Sequence, residues 1–442
     1  MTIKVCKFGG SSLADGRMMA KVKEIVGSDA SRRYIVPSAP GKRDAEDRKV
    51  TDLLYLCFEH AKQRIGFDDV FELIAKRYQG IIEDLGLSLD LTWALRKIKE
   101  DIMGGASCDY AASRGEYLNG LILAEYLGFE FVDAANLIYF DDAGVLDGER
   151  TRSAISQRLG GHAHAVVPGF YGRGANGEIK TFSRGGSDIT GALLAQGLGA
   201  DVYENWTDVS GLLVTDPRIV SNPAPIDTVS YKELRELAYM GATVLHDEAI
   251  FPVKSAGIPV NIRNTHRPED SGTMIVSDET PIVQTGNITG IAGKKGFVII
   301  KLEKALMNGQ LGFGRRVLSI LEGNRVCFEH MPSGIDTLSV VIAQSELGNG
   351  KLEKVLDEMR VELEPDSLSV ISDIALIATV GRGMSRVPGM ASKLFLGLNQ
   401  AGVNIVMIDQ GSGELNIIVG VRNDEFEDAV NAIYRAYMVA LD

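Results

Sequence analysis

Short apolar runs alternate with segments whose apolar residues recur every three or four positions, and this texture holds from the N-terminus to about residue 276. Residues 3–8 (IKVCKF) predict a strand. After Gly9-Gly10-Ser11-Ser12, the spacing of Met18, Met19, Val22, Ile25 and Val26 predicts a helix beginning near Asp15. Residues 34–38 (YIVPS) predict a second strand, and helical periodicity dominates 52–99. Arg114-Gly115-Glu116 opens a helix through Leu118, Ile122, Leu123 and Leu127, and 129–134, 165–170 and 179–182 read as strands. A helical pattern through Ile189, Leu193, Leu194 and Leu198 runs into a strand at 201–206. Helices are expected from Tyr231 and from Gly241, and strands at 258–262 and 273–276. Such alternation predicts an α/β domain with a largely parallel sheet, whose ligands gather beyond the strand C-termini.

Past a polar stretch at 278–289 the pattern changes. Strands are expected at 296–302, 325–330, 338–342 and 368–371, with helices at 311–321 and 352–359. A similar series follows: strand 374–380, helix 389–401, strands 404–409 and 415–421, helix 425–437. Two successive βαββαβ-like units predict an internal repeat of ferredoxin-like modules; one α+β domain without symmetry is the alternative. The expected division is therefore 1–280, 290–372 and 373–442.

Two glycine-broken turns carry candidate chemistry. Ser183-Arg184-Gly185-Gly186-Ser187-Asp188 leads into a helix, where free N–H groups favour an anion and two glycines admit a ligand close to the backbone. Arg184 and Asp188 flank that spot with opposite charges, which suits phosphate, a divalent metal and a charged substrate together; an ordinary connection with a solvated salt bridge is the alternative. The first turn follows Lys7, a lysine late in a buried strand, which is unfavourable unless it meets an anion. It is not a Walker loop, because the lysine precedes the glycines. Gly172, Gly174 and Gly177 match GxGxxG, but a strand pattern follows them, so they predict a hairpin turn and not a dinucleotide fingerprint.

Composition narrows the classes. Of the 442 residues, 45% are hydrophobic and 24% charged, enough for a sizeable core in two or three domains. A net charge of −13 argues against nucleic-acid or membrane-surface partners. No apolar run approaches the ~20 residues of a membrane span. Cys6, Cys57, Cys108 and Cys327 are scattered, form no CxxC and follow no leader, as expected of reduced thiols in a cytoplasmic protein.

With these segments assembled, the chain resembles the aspartokinases, the ATP-dependent aspartate kinases of the amino-acid kinase family. The matching stretches are KFGGSS (7–12), IVPSA (35–39) with Thr51-Asp52, RGE (114–116), TFSRGGSD (181–188), WTDVSGLLVTDPR (206–218) and GATVLH (241–246). Residues 404–417 (NIVMIDQGSGELNI) resemble the second ACT module of that family. The resemblance implies an αβα kinase domain at 1–280, two ACT regulatory modules at 290–372 and 373–442, and phosphorylation of the L-aspartate β-carboxylate by Mg-ATP as the first step towards lysine, threonine and methionine.

It also implies roles. Lys7 meets the transferring phosphoryl group, Asp188 organises Lys7 and the metal-bound phosphates, and Gly9, Gly10 and Ser11 hold phosphate through the backbone. Glu116 takes the substrate α-amino group, Arg184 clamps the α-carboxylate, and Ser38 and Thr51 help hold aspartate. Thr207, Asp208, Asp216 and Arg218 line the nucleotide pocket, and the magnesium rides on the ATP phosphates with no metal site of the protein's own. Feedback by lysine, with or instead of threonine, is implied at the 307–312 loop (Met307, Gly312) and the 329–333 strand end (Glu329, Ser333), in a homodimer joined through ACT modules or a tetramer. The chain departs from the family's GAKVLHP with Thr243 and Asp247, and carries Leu213 and Val214 where many members have tyrosine. The alternative is an amino-acid sensor whose kinase domain has lost activity.

Overall fold

The computed structural model describes residues 2–161, 164–183, 185–241, 247–281, 288–384, 387–411, 413 and 415–438. Arg184 and Thr243 lie outside the described residues. The chain forms two compact units: Met1–Leu212, Pro225–Tyr231 and Val244–Ile282 make the first, and Leu213–Ala224, Lys232–Thr243 and Val283–Asp442 the second. A single crossing was expected near residue 280; instead two segments from within 1–280 group with the second unit.

In chain order the elements up to residue 276 are β1 (Lys4–Phe8), α1 (Gly16–Gly27), β2 (Arg32–Pro37), α2 (Val50–Lys62), α3 (Asp68–Asp84), α4 (Thr92–Met103), α5 (Cys108–Leu127) and β3 (Glu130–Phe131). They continue with α6 (Gly148–Leu159), β4 (Ala165–Val166), β5 (Tyr171–Arg173), β6 (Ile179–Thr181), α7 (Gly186–Leu198), β7 (Val202–Thr207), β8 (Thr228–Ser230), α8 (Tyr231–Tyr239), α9 (Asp247–Ser255), β9 (Val260–Asn264) and β10 (Thr273–Val276). Eight of these strands form one sheet in the order β3-β4-β2-β1-β7-β9-β10-β8. Every pairing is parallel except β9 with β10. This is the mainly parallel α/β sheet that the alternation of elements predicts. The glycines at 172–177 close an antiparallel β5–β6 hairpin, and Gly177 has a φ of 89° that the turn requires.

The sheet's centre holds a buried charge cluster. Glu204 on β7 is 1% exposed and accepts from Arg32 Nε (2.8 Å) and Trp206 Nε1 (2.9 Å), with Lys4 Nζ at 3.2 Å. Burial pushes its carboxyl up, but the Arg32 hydrogen bond and charge, with help from Lys4, outweigh burial and hold it below the usual value.

The second unit adds β11 (Gly290–Glu303), α10 (Phe313–Gly323), β12 (Thr337–Ala343), α11 (Lys351–Leu363), β13 (Ser367–Val380), α12 (Met390–Gln400), β14 (Met407–Asp409), β15 (Asn416–Arg422) and α13 (Phe426–Met438). Its antiparallel sheet runs β12-β11-β13-β15-β14. The strands expected at 368–371 and 374–380 are one strand, β13, paired along its length with β11. The register slips beside Gly296 (φ 89°), and Asp373 takes φ 59°, so the long ribbon is divided into two halves. The half of β11 after the slip joins β12, α10 and α11 around Val298, Ile300, Val317, Val340 and Val355. The half before it joins the end of β13, which pairs with β15. The two modules are interleaved, the first inserted in the second, and not successive. The strand expected at 325–330 does not form: Arg325 sits at φ 53°, and only isolated bridges join His330 to Val341 and Ser333 to Leu338.

Helix α8 is fastened within this unit at three positions spaced by three. Glu233, fully buried, accepts from Thr289 Oγ1 (2.5 Å) and the Arg382 backbone N–H (3.0 Å). Glu236 accepts from Asn416 Nδ2 (2.7 Å), and the Tyr239 hydroxyl donates to Glu329.

Replacing Glu204 with leucine strands the buried Arg32 guanidinium. The expected loss is about 3–5 kcal/mol for the first unit, largely recovered when Arg32→Met accompanies it. Urea denaturation followed by the fluorescence of buried Trp206 measures both.

Candidate active site

Strand β1 lies beside β7 in parallel, with Lys7 directly across from Asn205. Register places both side chains on one face. Helix α7 starts immediately after Gly185, which adopts φ 59° at the helix N-cap, and Asp188 falls in the first turn, where the helix dipole favours a carboxylate. Lys7 Nζ and Asp188 Oδ1 meet at 2.6 Å, with side chains 11% and 16% exposed. Asn205 closes the triangle: its Nδ2 donates to Asp188 Oδ1 (2.9 Å), and its Oδ1 accepts from Lys7 (3.4 Å).

Lys7 and Asp188 line a cavity of about 200 Å³ together with Ser38, Thr51 and Glu116. The turn residues Gly185, Gly186 and Ser187 and the ring of Phe170 complete it. That volume falls below the ~300–1,000 Å³ of a drug-sized pocket and fits a small metabolite. A larger cavity of about 340 Å³ beside the β5–β6 hairpin is lined by Asp109, Asp141, Asp142 and Glu178 against the cation Lys180, a net negative field that disfavours phosphate.

Glu116 sits on α5, 5% exposed, and its Oε2 has no partner among the described residues. Burial pushes its carboxyl up to about 8, against a weaker pull from the Ala39 backbone. A buried acid that lines a cavity and has an unused oxygen is complementary to a cation such as an ammonium group. Its neighbour Arg114 is turned away from the cavity, its guanidinium 4.6 Å from the rings of both Tyr110 and Tyr117.

The amino acid kinase family matches residues 2–264, and an ACT domain matches residues 377–437. Aspartokinase 3 of Bacillus subtilis (strain 168) is 38% identical over 462 aligned positions, spanning 99% of each chain. The chain belongs to the aspartokinases. Among solved structures, the aspartate kinase of Clostridium acetobutylicum is 55% identical with a TM-score of 0.90, over 99% of this chain and 100% of that one. E. coli aspartokinase III in complex with aspartate and ADP is 25% identical with a TM-score of 0.70, over 98% and 99% of the two chains. Its complex with lysine and aspartate gives 26% and 0.71, over 98% of both.

Within this aspartokinase the residues singled out by sequence divide into groups. Lys7, Ser38, Thr51, Glu116 and Asp188 converge on the one cavity. Gly9 donates its N–H to the Trp206 carbonyl (3.0 Å), so it shapes the turn and does not present its own amide to a ligand. Gly10 and Ser11 fall in the single 3₁₀ turn Gly10–Leu13, and the Gly41 N–H donates to the Gly10 carbonyl at 2.8 Å. A Cβ on Gly41 would sit 2.6 Å from that backbone. Thr207 ends β7 in the first unit and Asp208 follows it, Thr207 Oγ1 donating to Asp208 at 3.2 Å. Asp216 and Arg218 belong to the second unit and pair with each other at 2.6 Å; the Arg218 hydrogen bond holds the Asp216 carboxyl below its usual value.

Four residues escaped the sequence reading. Asn205 and Glu204 together are an anomaly in an apolar strand, VYENWT, and that anomaly was the signal. Asn119, fully buried, donates to the Ser38 carbonyl at 2.6 Å from one turn beyond Glu116. Phe170 takes φ 82°, a strained conformation for an aromatic residue that no sequence pattern announces.

A carboxyl whose folded value is raised from 4.5 to about 8 favours the folded chain below the lower value and loses that advantage as pH rises through the higher. Glu116→Gln removes the loss. Melting temperatures from about pH 5 to pH 8 should therefore show the wild type falling relative to the variant.

Proposed function

We propose that this chain transfers the γ-phosphoryl group of Mg-ATP to the β-carboxylate of L-aspartate, giving 4-phospho-L-aspartate. The observation that carries the reading is the meeting of Lys7, Asp188 and the unpartnered Glu116 oxygen in one small cavity. The aspartate and ADP held by E. coli aspartokinase III support it. An oxygen of the β-carboxylate attacks phosphorus, the bond to the β–γ bridging oxygen breaks, and ADP leaves with that electron pair. No general base is required, because the attacking carboxylate is already ionised at neutral pH. The chemistry therefore rests on positioning and charge compensation. The Lys7 ammonium offsets charge on the moving phosphoryl group, and Asp188 fixes that ammonium. Mg²⁺ would enter with the nucleotide and offset part of the phosphate charge. Glu116 takes the α-ammonium, Ser38 and Thr51 contact the amino acid, and Arg184 clamps its α-carboxylate. Gly10 and Ser11, with Thr207 and Asp208 of the same unit, serve the nucleotide.

We further infer feedback by an end-product amino acid, with lysine favoured; the lysine complex of the E. coli enzyme supports this. The Met307–Gly309 turn adjoins the loop before β12, since the Asn308 N–H donates to the Ile335 carbonyl at 3.1 Å. Met307, Gly312, Glu329 and Ser333 are the proposed contacts. Glu329 already accepts from Tyr239 on α8, so a ligand ammonium drawn to Glu329 competes with that helix. A homodimer through the ACT modules completes the proposal.

Hydroxylamine trapping tests the reaction: aspartyl hydroxamate should form with Mg-ATP and aspartate. Reaction with glutamate or an acetylated amino acid in its place would move the chain to a sister kinase. Arg184→Ala should raise the aspartate KM by about 30-fold or more, the effect of losing a charge-assisted pair of at least ~2 kcal/mol. Millimolar lysine should inhibit the wild type, and Glu329→Ala should blunt that inhibition at unchanged basal turnover.

A further inference from the structure

We propose that Asn205 is a positioning residue for phosphoryl transfer, its side-chain amide holding the Lys7 ammonium and the Asp188 carboxylate in a fixed relation. The claim rests on the phosphotransfer reading of the same cavity. Asn205 is 3% exposed and lies in a strand flanked on both sides, across from Lys7 on β1 and Ile262 on β9. It does not line the cavity, so it acts through the two residues that do.

An ammonium and a carboxylate at 2.6 Å have a simple way to misbehave. Left alone, the carboxylate can turn to present both oxygens to the ammonium and occupy the donors needed for phosphate. A primary amide prevents this because it has a donor and an acceptor on one rigid plane. Its Nδ2 pins Asp188 Oδ1 at 2.9 Å, and its Oδ1 offers Lys7 an acceptor at 3.4 Å. Two of the three ammonium hydrogens are thereby assigned, and the third is left to face the phosphoryl group. A carboxylate at this position would add a second negative charge beside Asp188. An apolar residue would leave the Asp188 oxygen with one partner fewer in a buried place. Neutral, two-sided and planar is what the position asks for, and asparagine supplies it on a strand where the backbone cannot drift.

The test uses the full-length chain with Asn205→Leu and Asn205→Asp beside the wild type, in the hydroxamate assay at saturating aspartate and Mg-ATP. Asn205→Leu keeps the size and removes both bonds. Its kcat should fall about 10- to 100-fold, the scale of a displaced catalytic group, with the aspartate KM within about twofold. Asn205→Asp reads the mechanism directly. Burial and the Asp188 carboxylate raise the introduced carboxyl's pKa, against the Lys7 ammonium, which lowers it but is already paired with Asp188 at 2.6 Å. Once protonated, that carboxyl has one donor and one acceptor in the amide's places. Its kcat relative to the wild type should climb as pH falls from about 8 to 6, while the Asn205→Leu ratio stays flat. A role confined to stability would lower melting temperature and scatter kcat and KM together with no acid-side recovery. That result, or a wild-type kcat in Asn205→Leu, overturns the proposal. If the wild type itself forms no hydroxamate, the phosphotransfer reading fails, and the role of Asn205 falls with it.

Discussion

The lateral register of β1 against β7 is the constraint from which the site follows. Lys7 faces Asn205, and through it Asp188, only while Lys4 stands opposite Val202 and Phe8 opposite Trp206. A slip of one residue would send Lys7 to the other face of the sheet. Two polar anchors on opposite faces of β7 resist that slip. On one, Glu204 receives Lys4, Arg32 and the Cys6 thiol; on the other, Asn205 ties Lys7 to Asp188. An apolar strand pair could slide and still be buried. Charged partners buried at fixed distances cannot, because a misplaced partner leaves a charge uncompensated. The buried Glu204 cluster, remote from the chemistry, therefore fixes the strand that carries it.

Much of this was legible in the order of residues. A lysine at the end of an apolar strand, two glycine turns and an acid in a helix's first turn are local signals, and Lys7 and Asp188 do converge; Glu116, singled out only by the family resemblance, joins them. What escaped depends on neighbours far away in sequence. Asn205 acquires its meaning only when residues 198 positions apart pair side by side. Phe170 adopts its strained backbone beside α7, and its amide N–H donates to Thr190 Oγ1. Gly9 looked like a phosphate ligand because glycine admits a close ligand, yet its amide closes the turn on Trp206.

The regulatory half was read in the right class and the wrong order. Periodicity shows where a strand is apolar but not where one strand ends and the next begins. The runs at 368–371 and 374–380 therefore looked like the end of one module and the start of another. They are one strand, and Gly296 and Asp373 supply the bend that lets a single ribbon serve two modules. Alternation was equally silent about Leu213–Ala224 and Lys232–Thr243, because compositional texture reports burial without saying which core does the burying.

The fastening of α8 by Glu233, Glu236 and Tyr239 has a practical consequence. The two halves of this chain are not cassettes. A gene truncated at residue 280 would encode a fragment whose Leu213–Ala224 stretch and α8 have lost the sheet they pack on, leaving a buried glutamate and an apolar helix face in water. Swapping regulatory halves between relatives would have to carry both stretches along with the C-terminal graft, as three pieces of one insert.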